Sequence, residues 1–243
     1  MSSTVAPDVS RILVHGASGR MGAALLRLQP EAAQTALVAA VSRGGGRTEA
    51  GVALTAATRL DQVPDFDVAI DFSLPEAFDA ILDLCLARNA AFVSGTTGLE
   101  DAQRARLDAA AQTIPVLWSA NFSLGIAVLG DLVRRAAAAL PGWACEIVET
   151  HHVHKKDAPS GTALLLGAAV QAAGRDAPHY VSHRTGDVIG DHRVRFVAAE
   201  ERIELNHSAL HRDVFARGAL HAARAIAGRA PGNYRLIDLL DVP

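Results

Sequence analysis

Short apolar runs alternate with amphipathic stretches through the first half of the chain. Arg11–His15 is apolar at Ile12, Leu13 and Val14 and stops at Gly16, the pattern of a buried strand. The AALLRLQ stretch after Gly22 has helical character and is stopped by Pro30. Leu37–Val41 reads as a second strand, broken by Gly44, Gly45 and Gly46, and Phe66–Phe72 as a third. Ser73, Leu74, Pro75 and Glu76 have the spacing of a capping box with an early proline, so a helix is expected to about Arg88. Ala91–Ser94 and Pro115–Trp118 are further strands, with a helix over about 100–111 between them. Strands alternating with helices imply a parallel sheet covered on both faces.

The pattern changes after Asn121. A helix over about Leu124–Leu140 stops at Pro141 and Gly142, and Cys145–His154 reads as a strand. Ser160 is placed to cap a helix that runs to Gly174. Val194–Ala198 and Arg202–Asn206 flank Ala199, Glu200 and Glu201 as an antiparallel hairpin, and a last helix covers about Val214–Ala227. Mixed elements after regular alternation imply a second, α+β domain.

Composition narrows the function classes. The 243 residues suffice for one large domain or two modest ones, and half are hydrophobic while a fifth are charged, as in a globular protein. The 26 acids and 23 bases give a net charge of −3, which argues against nucleic-acid binding through a general basic field. Cys85 and Cys145 match no metal or redox spacing and point to a reducing compartment. Apolar runs fall far short of the ~20 residues of a membrane span. Met1–Ser10 lacks the charged start and apolar core of a signal peptide, so a cytoplasmic location with no membrane partner is expected.

The turn after the first strand carries Gly16, Gly19 and Gly22, a GxxGxxG variant of the dinucleotide-binding fingerprint between a strand and a helix. Such a turn lets backbone N–H groups face a pyrophosphate. An ordinary strand-to-helix turn is the alternative. The second strand ends in Ser42 and Arg43 where an acid would bind the ribose hydroxyls of NAD. Arg43 can face a 2′-phosphate, with Arg20 beside the turn. The reading therefore favours NADPH and keeps NADH as the second choice, against a solvated surface arginine.

Lys155 and Lys156 are the only lysines, and they follow His151, His152 and His154. A lysine amine can give up a proton, whereas a guanidinium effectively cannot. If the strand runs straight, His152 and His154 share one face and His151 shares the other with Val153. Crowded cations favour proton release from Lys155. After Ser160, the Gly161 and Thr162 N–H groups open a helix whose first turn binds a carboxylate or phosphate. The segment thus reads as an anion site with a proton source. A zinc site through the three histidines lacks a further ligand nearby, and a solvated basic loop is the remaining alternative. No Gly-Lys-Ser/Thr P-loop and no G-x-S-x-G elbow is present.

These residues resemble the 4-hydroxy-tetrahydrodipicolinate (dihydrodipicolinate) reductase family of bacterial lysine biosynthesis. The resemblance spans nearly the whole chain: GASGRMG at 16–22, DFSLPE at 71–76, GTTG at 95–98, SANFSLG at 119–125, ETHHVHKKDAPSGTA at 149–163 and RTGDVIGDH at 184–192. It implies an α/β fold with a Rossmann-type domain over 1–122 plus 209–243. Residues 123–208 would form an α+β substrate-binding and tetramerisation domain, with the nicotinamide at the interdomain cleft. It implies NAD(P)H-dependent reduction of a small anionic dicarboxylate by a homotetramer in the diaminopimelate route, with no metal.

By matching positions, the resemblance makes His151 the acid/base residue, Lys155 the proton donor and His152 a substrate contact. Gly161 and Thr162 hold a substrate carboxylate. Gly16, Ala17, Ser18, Gly19, Arg20 and Met21 take the pyrophosphate, and Ser42 and Arg43 the 2′-phosphate end. Gly95, Thr96 and Thr97, with Ser119, Ala120, Asn121 and Phe122, line the nicotinamide. Three positions depart from the family pattern. Ser42 stands where NADH-using members commonly have an acid, Val153 where the family often has a polar or longer residue, and the loop after Arg43 is short. The competing readings are another two-domain NAD(P)-dependent amino-acid dehydrogenase, of homoserine or aspartate type, and a nucleotide-binding sensor without chemistry.

Overall fold

The computed structural model describes residues 9–240, which fall into two compact units. One runs to Phe122 and resumes at Phe215; the other is Ser123–Val214. The chain thus re-enters the first unit at Phe215 rather than at 209, carried by a helix that begins only at Asp213. The N-terminal segment read for a leader lies, through residue 8, outside the described residues.

The first unit is built on β1 (Ser10–His15), α1 (Arg20–Leu28), β2 (Thr35–Ser42), β3 (Gly46–Arg47), β4 (Ala53–Ala56), β5 (Val68–Asp71), α2 (Pro75–Arg88), β6 (Ala91–Ser94), α3 (Asp101–Ala110) and β7 (Pro115–Trp118). The second adds α4 (Leu124–Ala139), β8 (Ala144–His151), α5 (Gly161–Gln171), β9 (His179–Arg184), β10 (Asp191–Val197) and β11 (Arg202–Ser208). Helix α6 (Asp213–Ile226) and β12 (Gly232–Asn233) complete the first.

The first sheet has the order β12-β7-β6-β5-β1-β2-β4-β3 and is parallel except for the β3–β4 pair. Strand β1 lies at the centre, between β2 and β5, where the strand order reverses. That reversal opens a crevice at the carboxyl ends of the strands, the usual ligand position in such sheets. Ile12, Leu13 and Val14 are all fully buried, as a strand covered on both faces requires. On one face, Leu13, Ala69, Phe92 and Val116 pack against Phe78, Ile81, Leu82 and Cys85 of α2 and Leu107 of α3. Helix α2 runs from Pro75 to Arg88, and the left-handed φ of 51° at Asn89 turns the Ala90 N–H back onto the Cys85 carbonyl at 2.9 Å.

The expected capping box at Ser73 does not form. Leu74 is the N-cap residue, one place later, so the Ser73 hydroxyl donates to the Leu74 carbonyl instead of capping the helix. Strands β3, β4 and β12 went unread because, unlike the equally short β6 and β7, they are largely exposed or half-buried and form no unbroken apolar run.

In the second unit the sheet order is β11-β10-β8-β9, with β8 and β9 parallel and the other pairs antiparallel. Ile126, Leu129 and Val133 of α4 and Ala163, Leu166 and Val170 of α5 cover one face over Ile147, Val194 and Phe196. Strand β9 was not anticipated: its HYVSHR sequence is exposed or half-buried throughout and shows no apolar alternation. The β8 strand ends at His151, not His154. Beyond it the backbone turns, with Lys155 N–H bonded to the His152 carbonyl and Val153 N–H to Gly186.

Candidate active site

The glycine turn meets strict spatial limits. Gly16 has φ +77°, and a Cβ there would lie 2.4 Å from the Phe72 carbonyl oxygen. A Cβ on Gly22 would lie 2.3 Å from the Gly16 carbonyl oxygen, so α1 packs directly on the turn. Gly19 is the N-cap of α1, and no side chain caps that helix. A bare, close-packed helix N-terminus beside exposed Ser18 and Arg20 suits a pyrophosphate. Ala17 is buried and its N–H is bonded to the Val41 carbonyl, so it shapes the turn rather than presenting a side chain.

At the end of β2, Ser42 is buried and its hydroxyl donates to the Gly45 carbonyl at 3.4 Å. Arg43 is exposed and makes no ion pair with the described residues.

The ends of β1, β5 and β6 converge on Asp71, a residue the sequence reading passed over. This buried carboxylate accepts from His15 Nδ1 at 2.8 Å, Ser94 Oγ at 2.9 Å, Thr96 Oγ1 at 2.7 Å and the Ser73 N–H at 3.1 Å. Burial pushes its pKa up, but the His15 hydrogen bond and the other donors outweigh that and hold it below the usual carboxylate range. Thr96 therefore faces Asp71, while Thr97 is exposed. The Phe72 ring lies where a Cβ on Gly95 would be, 2.1 Å away, and stacks edge-on against Phe122 at 5.3 Å. Ser119 Oγ donates to the Asn121 carbonyl at 2.7 Å, ordering the 119–122 turn around exposed Ala120.

In the second unit, His151 ends β8 with its side chain buried on the face packed by α4 and α5. Its Nδ1 is bonded to Glu149, which Arg184 holds at 2.9 and 3.0 Å. Burial raises the Glu149 pKa, yet hydrogen bonds from Arg184, Ser182 and His151 bring it down to about 2. Burial lowers the His151 pKa and Glu149 partly offsets this. The His192 ring lies edge-on to His151 at 5.2 Å, and burial together with His151 pushes His192 down to about 4.

Ser160 Oγ accepts the Ala163 N–H at 3.1 Å and so caps α5. Gly161 stands exposed with open space where a side chain would be. Next to it, Thr162 is the second residue of the first turn of α5.

The structure corrects two expectations about the His–Lys segment. Because the chain turns after His151, strand parity does not relate His152 to His154. Their rings approach to 6.2 Å across the turn, and Val153 points to solvent. Nor is Lys155 surrounded by cations alone, since its Nζ lies 2.8 Å from Asp157 Oδ2. Among the described residues no group of three His, Cys, Asp or Glu side chains is arranged to hold a metal ion.

Glu149, Arg184 and His192 were missed as functional groups. Their signal was an acid inside the apolar CEIVETH run and a basic and an imidazole residue at the two ends of RTGDVIGDH.

Two family models match the chain: the dihydrodipicolinate reductase N-terminus over residues 10–122 and its C-terminus over 125–240. The chain belongs to the dihydrodipicolinate reductase family. This family binds a nicotinamide dinucleotide and its members are NAD(P)H-dependent oxidoreductases. The chain is 59% identical over 233 residues to a 4-hydroxy-tetrahydrodipicolinate reductase of Stenotrophomonas maltophilia, covering 95% of this chain and 97% of that one. It is 56% identical to one from Xanthomonas axonopodis pv. citri, with the same coverage. Its fold matches a dipicolinate-bound dihydrodipicolinate reductase from Paenisporosarcina sp. TG-14, with a TM-score of 0.80 at 21% identity over 93% of this chain and 97% of that one. A more distant match is a diaminopimelate dehydrogenase from C. glutamicum, with a TM-score of 0.65 at 12% identity over 98% and 97%.

Proposed function

We propose that this chain reduces 4-hydroxy-tetrahydrodipicolinate to tetrahydrodipicolinate, the reaction named for its relatives, in the diaminopimelate route to lysine. The observation that carries this reading is the buried Glu149–His151 pair beside the capped start of α5, with Lys155 in the adjoining turn. That set joins an anion-binding turn to proton-transfer groups, which a dicarboxylate reduction needs.

Gly16–Met21 would hold the pyrophosphate, Arg43 the 2′-phosphate, and Gly95–Thr97 with Ser119–Phe122 the nicotinamide side. The bound dinucleotide supplies a hydride. Conversion of the 4-hydroxy-tetrahydro ring to the tetrahydro ring also takes a proton and releases the hydroxyl as water. Lys155 Nζ is the proton donor and His151 the acid/base group. Gly161 and Thr162 N–H groups bind a carboxylate, and His152 contacts the ring. The missing acid at Ser42 and the unpaired cation at Arg43 support NADPH over NADH.

The face of the four-stranded sheet opposite α4 and α5 supports a homotetramer. It carries Val148, Thr150, Val181, Arg193 and Asn206 around an open hollow of about 470 Å³, a surface a second copy can cover. Light scattering on the purified protein is expected to give the mass of four chains. No helix among the described residues is long and apolar enough to cross a membrane, and with two free cysteines this supports a cytoplasmic setting.

The test is cofactor oxidation with substrate made in situ from pyruvate and aspartate semialdehyde by the upstream synthase. Substrate-dependent oxidation, faster with NADPH than NADH, is expected. Tight NADPH binding with no oxidation would point to a sensor or another substrate.

A further inference from the structure

Glu149 does more than neutralise a neighbour. Its side chain is buried and makes contacts to three elements at once. It accepts from His151 on its own strand β8, from Arg184 at the end of β9 at 2.9 and 3.0 Å, and from the Ser160 N–H at the start of α5 at 3.3 Å. With its pKa at about 2, Glu149 is a carboxylate and can only accept hydrogen bonds. The proton between the two residues therefore sits on His151 Nδ1, and Nε2 carries the free lone pair. That nitrogen faces Gly190, where an added Cβ would lie 3.0 Å away. Glycine at this position keeps room beside the reactive nitrogen.

A second chain of bonds leads to the same place. Ser160 Oγ accepts the Ala163 N–H and shares a hydrogen bond with His192 Nε2 at 3.2 Å. His192 meets the His151 ring edge-on at 5.2 Å and packs against its other side.

We propose that Glu149, clamped by Arg184, is the positioning residue for His151: it sets the Nδ1–H tautomer and links that ring to the cap of the anion-binding helix. This rests on the acid/base reading of His151 given above. Arg184 is suited to the clamp because its fork meets both carboxylate oxygens, and it is further anchored by the carbonyls of Lys155 and Asp157. The turn that carries Lys155 is thereby tied to the same carboxylate.

The test is long-range proton–nitrogen NMR on histidine-labelled full-length protein at about pH 8, above the ordinary histidine range, with His151→Gln assigning the signal. Wild type is expected to show the proton on Nδ1. Glu149→Gln is expected to shift His151 towards the Nε2–H form and to lower kcat on the order of 100-fold, as for loss of a positioned acid–base group. The KM for the dinucleotide should not change. Gly190→Ala is expected to lower kcat with the wild-type tautomer retained. If Glu149→Gln does not fold, Arg184→Lys carries the same expectation at smaller size, and the wild-type tautomer needs no variant. A wild-type Nε2–H signal, or an unchanged tautomer and kcat in Glu149→Gln, overturns the proposal. Full turnover in His151→Gln overturns it by removing the acid/base reading beneath it. Loss of turnover there, with Glu149→Gln unaffected, sinks the positioning role alone.

Discussion

His15 and Asp71 stand in register on neighbouring parallel strands, and His15 Nδ1 lies 2.8 Å from Asp71 Oδ1 with both side chains buried. Ser94 and Thr96 donate to the other oxygen, so the carboxylate ties together the loop-bearing ends of three strands. Removing it takes the carboxylate acceptor from His15, Ser94 and Thr96, while the Ser73 N–H keeps its bond to Thr96 Oγ1 at 3.1 Å. Asp71→Ala is expected to cost about 3 kcal/mol or more, the scale of a broken buried pair. Urea unfolding of the variant checks this, and a midpoint equal to wild type would contradict it.

Arg43 is the exposed first residue after β2, and buried Ser42 offers no acid to a ribose hydroxyl. Arg43→Ala is expected to raise the KM for NADPH by about tenfold, the loss of one charge-assisted contact of roughly 1.4 kcal/mol, and to leave the KM for NADH nearly unchanged. Steady-state kinetics with both cofactors decide it; equal effects on the two would mean that Arg43 does not contact the 2′-phosphate.

Lys155 reaches its position through the turn closed by its own N–H on the His152 carbonyl, with Asp157 orienting the amine. Lys155→Ala is expected to lose at least about 100-fold in kcat, as for removal of a general acid. Dinucleotide affinity, read by fluorescence titration, should stay at the wild-type value. Undiminished turnover removes Lys155 from the mechanism.

His192 gives the fold an acid limit. Its pKa is pushed from 6.5 to about 4 by burial and by His151, so it is neutral when folded and protonates on unfolding. The folded state holds fewer protons than the unfolded one between those values. Stability is therefore full above about pH 6.5 and falls as the pH drops towards about 4, by roughly 3 kcal/mol. Glu149, lowered from 4.5 to about 2, adds a second loss as the pH falls through that range. Denaturant midpoints taken across these pH values measure the slope. His192→Gln is expected to flatten the upper part and leave the lower; an unaltered profile would mean His192 does not control it.

Much of the architecture was legible along the chain. Ala91–Ser94 and Pro115–Trp118 coincide with β6 and β7, because fully buried parallel strands read as unbroken apolar runs. The cap at Ser160 was legible because capping is local chemistry. The end of β8 was not. The run Cys145–His154 has no glycine or proline to stop it, and the strand ends because Val153 N–H bonds to Gly186, more than thirty residues on. The same limit hid Asp71 and Glu149. Each is one acid in an apolar run, and its partners come from strands distant in sequence.

The sequence by itself determined the alternating elements, the glycine turn that starts α1 and the residue types able to move a proton or hold an anion. Those depend on backbone freedom, periodicity and side-chain chemistry within a few residues. Tertiary structure alone decided which nitrogen of His151 carries its proton, which anion pairs with Lys155 and which carboxylate joins the ends of β1, β5 and β6. These are set by hydrogen bonds between segments that meet only after the sheets have formed, inside an interior where an unpaired charge is too costly to leave.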